Sequence, residues 1–273
     1  MIGAFVIVFR EVIEAGLIIG IVLAASRGIP GNKRWVALGV GAGGAGSAVV
    51  AIFAGAISDA FAGAGQELFN ASVLGTAVVM LTWHNVWMAR HSREIVVHMY
   101  DVGAAVSAGT RPLAALGIVV GLAVLREGSE VVLFLYGVIA SGTSGASVLA
   151  GGLFGIVAGV AFSSLTYYGL LAIPMRHVFA VTSLLIALLA AGMAAQAVHF
   201  LDAAGFITVL GRPTWDTSGF LPQDSLLGRV LHTLIGYTDR PTEMQLIVYV
   251  ATLIVMTALM RIVRPVDPAR VAA

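Results

Sequence analysis

The chain alternates between long apolar stretches and short polar connections. About 20 consecutive apolar residues are needed to cross the hydrocarbon of a bilayer as a helix. On that measure the pattern predicts seven helices, over 2–25, 35–57, 68–90, 112–140, 147–171, 178–200 and 244–263. Pro30, Pro112 and Pro174 fall in or beside the connections, where a missing backbone N–H is tolerated. The longest connection, 201–242, holds most of the ordinary polar residues and is the segment with room for structure outside a membrane. The expected fold is all-α, a polytopic membrane protein of seven transmembrane helices.

Composition agrees. Of 273 residues 59% are hydrophobic and 11% charged, and mean hydropathy is +0.98; a soluble domain of this size carries far more charge. The formal net charge of +1 gives no sign of a nucleic-acid partner. There is no cysteine, which excludes disulfides, thiolate metal sites and thiol nucleophiles. Met1 runs into the first apolar stretch without a basic leader, so that stretch is expected to be a retained helix.

Orientation follows from lysine and arginine in the short loops. Arg27, Lys33, Arg34, Arg90, Arg93, Arg111, Arg176, Arg261, Arg264 and Arg270 fall on one side. Only Arg212, Arg229 and Arg240, all in the long loop, fall on the other. This predicts an outer N-terminus, an inner C-terminus and an outer 201–242 loop.

Two of the apolar stretches are broken by the same charges. "FREVIEAGL" places Arg10, Glu11 and Glu14 within the first, and "LREGSEVVL" places Arg126, Glu127 and Glu130 within the fourth. The first and fourth helices run in opposite directions in this topology, which makes 1–100 and 101–200 a candidate 3+3 inverted repeat. The 201–242 loop and a 243–273 helix and inner tail would complete a single permease domain. Inverted repeats place their substrate sites near the bilayer midplane. Six buried charges cost about 15–20 kcal/mol before pairing, at roughly 2.5–3.5 kcal/mol each. On a helix, i and i+3 share a face, as do i and i+4, so each arginine joins its two glutamates but can neutralise only one of them, leaving each motif with one excess negative charge. One reading is a pair of structural ion pairs joining the two helices. The other is a cation site, since converging carboxylates supply hard oxygen ligands suited to ferric iron, Mg²⁺, Ca²⁺ or Mn²⁺.

These motifs, on the first and fourth of seven spans, resemble the oxidase-dependent iron permease family of fungal plasma membranes and bacterial inner membranes. "QELFNASVLGTAVVML" at 66–81 resembles the start of that family's third span. "WDTSGFLPQDSLLGRVLHTLIGYTDRP" at 215–241 resembles the outer loop of its bacterial branch, the permease component of the Efe iron-uptake system. The resemblance implies that Glu11, Glu14, Glu127 and Glu130 bind iron in transit, oriented by Arg10 and Arg126. It also implies Fe³⁺ delivered by an outer-side ferroxidase or iron-delivery protein, in a bacterial cytoplasmic membrane. Iron is then a transported substrate, with no permanently bound cofactor; homo-oligomerisation is left open. Asn70 stands where the family pattern often has an acidic residue, leaving Glu67 as the sole carboxylate of that segment.

Other features weigh less. Asp216 and Asp224, with Asp239 and Trp215, face the side from which iron would arrive and are candidate collectors. His84, His91 and His98 recur every seven residues, as a solvated interfacial stripe or as part of a metal exit path. Gly39, Gly41 and Gly44 satisfy G-x-G-x-x-G with no preceding strand, and with Gly46 and Gly55 read as close helix packing. Trp83, Trp87, Tyr167 and Tyr168 fit interfacial anchoring. Neither H-E-x-x-H nor Glu-x-x-His occurs, which counts against a zinc protease or a redox di-iron bundle. A carrier of another divalent cation, a proton-coupled carrier and an intramembrane glutamate-based enzyme remain as alternatives. The enzyme would want a nucleophile or a histidine beside the carboxylates; the first and fourth helices offer neither, and Ser129 is the sole hydroxyl nearby.

Overall fold

The computed structural model describes residues 1–60, 66–169, 175–207 and 209–263. Pro174, Arg264, Arg270 and the side chains of Arg93 and Arg176, all used above for topology, lie outside the described residues. The described elements are α1 (Ile2–Ala25), α2 (Asn32–Ala60), α3 (Gln66–Ser107), α4 (Ala114–Ala140), α5 (Gly145–Tyr167), α6 (Met175–Ala203), α7 (Leu226–Ile235) and α8 (Glu243–Val263). Among the described residues the one strand-like pairing is an isolated antiparallel bridge between Pro213 and Thr242. Four helices, α2, α5, α6 and α8, are long and apolar enough to cross a membrane. α1 and α4 match them in length but carry an arginine and two glutamates inside the apolar run.

Two expected boundaries move. α3 has 42 residues and is about 63 Å long, twice the hydrocarbon thickness. It runs without a break past position 100 to Ser107, well beyond the expected end at 90. α6 likewise continues past 200 to Ala203.

α1 packs mainly on α5, α2 on α4, and α3 on α6. Glycines let the first two pairs approach closely. A Cβ on Gly43 would meet the Gly121 oxygen, the Val124 Cβ and the Leu125 nitrogen of α4. A Cβ on Gly155 would meet the Phe5 oxygen, the Val8 Cβ and the Phe9 nitrogen of α1. In both sets the partners stand five, two and one residues before the motif arginine. Gly39 against Gly117 and Gly151 against Met1 extend the match, each partner standing nine residues before it. Gly46 and Gly55 also pack, on Leu125 and on Tyr136. Gly41 and Gly44 meet nothing within 4 Å and are not packing glycines.

The bundle has two apolar layers. Where α1 begins, Ile7, Leu74, Leu81, Phe134, Val138 and Ile186 interdigitate with Met256 of α8. Where α1 ends, Val22 packs with Val36, Val102, Val106, Leu116 and Val120. The charged motifs lie between the layers. At the first end, the 201–242 connection is folded rather than loose. Thr214 and Thr217 donate their amides to the Pro241 and Asp239 carbonyls. Ser225 caps α7 through the Gly228 amide at 2.9 Å. Gly236 ends α7 in the left-handed conformation with its Cα seated on Gly192 of α6, an approach no side chain would allow.

Candidate metal centre

α1 presents Arg10, Glu11 and Glu14 to the interior, Glu14 lying one helical turn from both, four residues after Arg10 and three after Glu11. All three are buried, at 2%, 1% and 3% exposure. Arg10 Nε donates to Glu14 Oε1 at 2.8 Å, and Nη1 donates to Asn85 Oδ1 of α3 at 2.8 Å. Arg126 Nε of α4 donates to Glu130 Oε1 at 3.1 Å. The i+4 pairing read from the sequence is therefore present twice, and Glu11 and Glu127 are the glutamates left without an arginine partner of their own. Neither oxygen of Glu11 and one oxygen of Glu127 has any hydrogen-bond donor in the described structure.

His84 joins the two motifs. Its Nε2 lies 3.7 Å from Glu11 Oε2 and 3.6 Å from Glu14 Oε2. Its Nδ1 contacts Glu130 Oε2. Glu11, His84, Glu127 and Glu130 each offer a ligand atom, and these atoms all lie within 4.8 Å of one another. Three carboxylates and an imidazole at that spacing suit a first-row metal ion. Glu14 stands beside this group, with one oxygen held by Arg10 and the other toward His84.

The imidazole overturns the interfacial-stripe expectation. His84 is 3% exposed, inside the carboxylate cluster, while His98 alone of the three is exposed. His91 is half-buried and stacked on Trp87 at 4.9 Å. Trp87 is no simple interfacial anchor either, because the Arg126 guanidinium sits over its ring at 4.0 Å. Trp83, by contrast, is 70% exposed.

A cavity of about 790 Å³ opens from the cluster, with Glu14, Arg126 and Glu127 at its head. Leu17 and Ile21 of α1, Val119 and Leu122 of α4 and His98 of α3 carry it toward the end of the bundle where α1 finishes. At the opposite end Phe134, whose ring meets His84 edge-on at 6.4 Å, belongs to the closed apolar layer.

The secondary candidates lie apart from this centre. Glu67 is exposed at the start of α3. Asp216 is fully exposed and engaged within the loop, accepting from the Ser218 hydroxyl at 2.6 Å and pairing with Arg240 at 3.1 Å. The Ser218 hydroxyl and amide hold its carboxyl below the usual range. Asp239 accepts from the Gln223 amide at 3.1 Å. Asp224 is exposed. Two of the three loop aspartates thus fasten the loop to itself.

Buried carboxylates from two motif-bearing helices, in an all-helical chain with membrane-spanning character, are the setting in which sequence relatives become decisive. Residues 1–265 match the iron permease FTR1 family. The chain belongs to that family. It is 31% identical over 255 residues to the ferrous iron permease EfeU of Yersinia pestis, covering 92% of this permease and 89% of the relative. It is equally identical over 254 residues to the ferrous iron permease EfeU of Escherichia coli O6:K15:H31 (strain 536 / UPEC), covering 92% and 91%. The EfeU of Escherichia coli (strain K12), 31% identical with 92% and 91% covered, carries the word inactive in its name. No solved structure matches. The permease is therefore a membrane transporter of the iron permease family and not an enzyme. The relatives' names say ferrous, whereas the family resemblance implied Fe³⁺.

Proposed function

We propose that this permease takes up iron across a cytoplasmic membrane through a site built by the two R-E-x-x-E motifs. Four ligand atoms from buried Glu11, His84 and Glu127 and part-buried Glu130, within 4.8 Å of one another and about halfway along their helices, carry this reading. The chain crosses seven times, with α1–α6 and α8 as the spans and the α7 loop outside. The two glycine-mediated helix pairs, each registered identically to its motif arginine, support a 3+3 inverted repeat. With the N-terminus outside, the cavity below Glu127 leads inward and the Phe134 layer closes the outer side. This is an inward-facing arrangement from which iron is released.

Fe³⁺ is the ion in the primary reading, oxidised by a partner on the outer side, because dense carboxylates favour a hard, highly charged cation. The second reading is Fe²⁺, favoured by the imidazole in the cluster and by the names of the relatives. Proteoliposomes supplied with radioactive Fe²⁺ under reductant, or with Fe³⁺, separate the two. Uptake of neither ion ends the iron reading. Cysteines introduced as Gly219→Cys and Lys33→Cys test the topology, since both sites are exposed and the chain has no other thiol. An impermeant reagent should label the first from outside and the second only after lysis.

A further inference from the structure

We infer that His84 is the selectivity donor of the site, ligating through Nε2 while Glu130 fixes the ring from the other side; the inference rests on the iron-permease reading. Glu130 Oε1 accepts from Arg126 Nε, and its Oε2 lies against His84 Nδ1. A carboxylate behind one imidazole nitrogen sets the tautomer and aims the other nitrogen at the metal. Nε2 accordingly points into the space bounded by Glu11 Oε2 and Glu14 Oε2, at 3.7 and 3.6 Å. Glu11 and Glu127 each keep oxygen free of donors there. The edge of Phe134 closes the outer flank. Glu130 is then a positioning residue, and Glu11, Glu127 and His84 are the ligands with Glu14 beside them.

The chemistry of the donors gives His84 its purpose. Carboxylates alone also accept Mg²⁺ and Ca²⁺, which are far more abundant than iron and compete most directly with its ferrous form. An imidazole nitrogen favours iron and other later first-row ions and gives little to either alkaline-earth cation. The two motifs repeat but this donor does not. α6, which packs on α3, has no titratable residue from 178 to 198, so the imidazole enters from α3 alone.

X-ray absorption at the iron edge of the purified permease, loaded in parallel with Fe²⁺ under argon and with Fe³⁺, reads the ligand directly. The outer-shell scattering of a bound imidazole is expected in whichever state binds, and an oxygen-only shell in both states overturns the inference. Uptake is the second reading. His84→Gln and His84→Asn should lose about tenfold or more of the preference for iron over excess Ca²⁺. The ratio is taken within one preparation, so lower yield of a variant cancels. An unchanged ratio in a variant that still transports overturns the selectivity role. A wild-type chain that takes up no iron at all overturns the permease reading itself and this inference with it.

Discussion

The R-E-x-x-E motifs of α1 and α4 have the same residues at the same spacing and live in different surroundings. Arg10 is 2% exposed, bonded to Glu14 on one side and to Asn85 of α3 on the other. Arg126 is 37% exposed, bonded to Glu130 at the longer distance of 3.1 Å and laid over Trp87 at the head of the cavity. A chain repeat can duplicate the charges but not what α3 sets against them. α3 crosses both motifs, giving Asn85 to the first, Trp87 to the second and His84 to both. The first half of the site is held by directional hydrogen bonds between buried groups, and the second by a partly exposed, stacked contact. The α1 motif is thus the more enclosed side of the site and the α4 motif the more exposed one.

The sharpest break of this comparison comes from the glutamates. Glu11→Gln and Glu127→Gln each remove a charge that no arginine balances, and uptake should fall about a hundredfold or more, beyond the loss typical of outer-shell partners. Glu130→Gln keeps an oxygen for His84 Nδ1 and should cost about tenfold. Initial uptake rates, normalised to permease in the membrane, decide the order. A Glu130 variant as impaired as the Glu127 variant makes Glu130 a ligand and removes the division of roles.

The arginines come next. Arg10→Lys keeps the charge and loses the fork that holds Glu14 and Asn85 together. A lost hydrogen bond to a buried charge costs about 1.5–3 kcal/mol, so a fall in uptake of about tenfold to a hundredfold is expected. Arg126→Lys loses mainly the Trp87 stacking, about 0.5–1 kcal/mol at a partly exposed site, and should lower uptake no more than about fivefold. Equal losses would show that the two halves of the site are equally rigid.

Much of this was legible in the chain. The apolar run from 2 to 25 ends where α1 ends, because a hydrophobic run closed by the polar Ser26–Arg27 step leaves little choice. The i+4 pairs were legible because a helix fixes them locally. The place of His84 between the motifs was not, because its partners stand 43 to 73 residues away in sequence and a seven-residue histidine spacing suits a surface stripe equally well. The same holds for Trp87, whose ring is an interfacial anchor by composition and a seat for Arg126 by packing. Gly41 and Gly44 were indistinguishable from Gly39 and Gly43 by residue type; only the rotation of α2 against α4 separates them. The loop aspartates read as free charge because hydrogen bonds to Ser218 and Gln223 leave no trace in composition.

The matched glycine contacts of α2 with α4 and α5 with α1 make their own prediction, of intermediate size. Gly43→Ala and Gly155→Ala each drive a Cβ into backbone and a valine Cβ, the two sites being equivalent by their registration to Arg126 and Arg10. Overpacking of this kind costs about 1–3 kcal/mol, so thermal unfolding in detergent should drop by similar amounts in both. Gly41→Ala meets open space and should hold steady or gain up to about 1 kcal/mol of helix propensity. Unequal losses at 43 and 155 would break the symmetry of the two halves.

The smallest effect belongs to the outer loop, where charge is held at a surface rather than in a core. Asp216 has its carboxyl lowered from the ordinary 3.8, first by the Ser218 hydroxyl and then by the Ser218 amide and Arg240. A group whose folded value lies below its unfolded one stabilises the folded loop above the unfolded value. That contribution fades as pH falls through the folded value. Between pH 7 and 5 the loop should therefore be unchanged, and it should loosen only as pH drops below about 4. Because Asp216 is fully exposed, solvent screens the pair and the effect is small. Amide hydrogen exchange across 212–243, followed down the pH scale and corrected for intrinsic rates, measures it. Asp216→Asn should flatten the acid-dependent change while leaving iron uptake at saturating iron intact, since the metal centre lies beyond the Phe134 layer. Uptake that falls with this variant at saturating iron would tie the loop to the crossing step and give the outer surface a gating role.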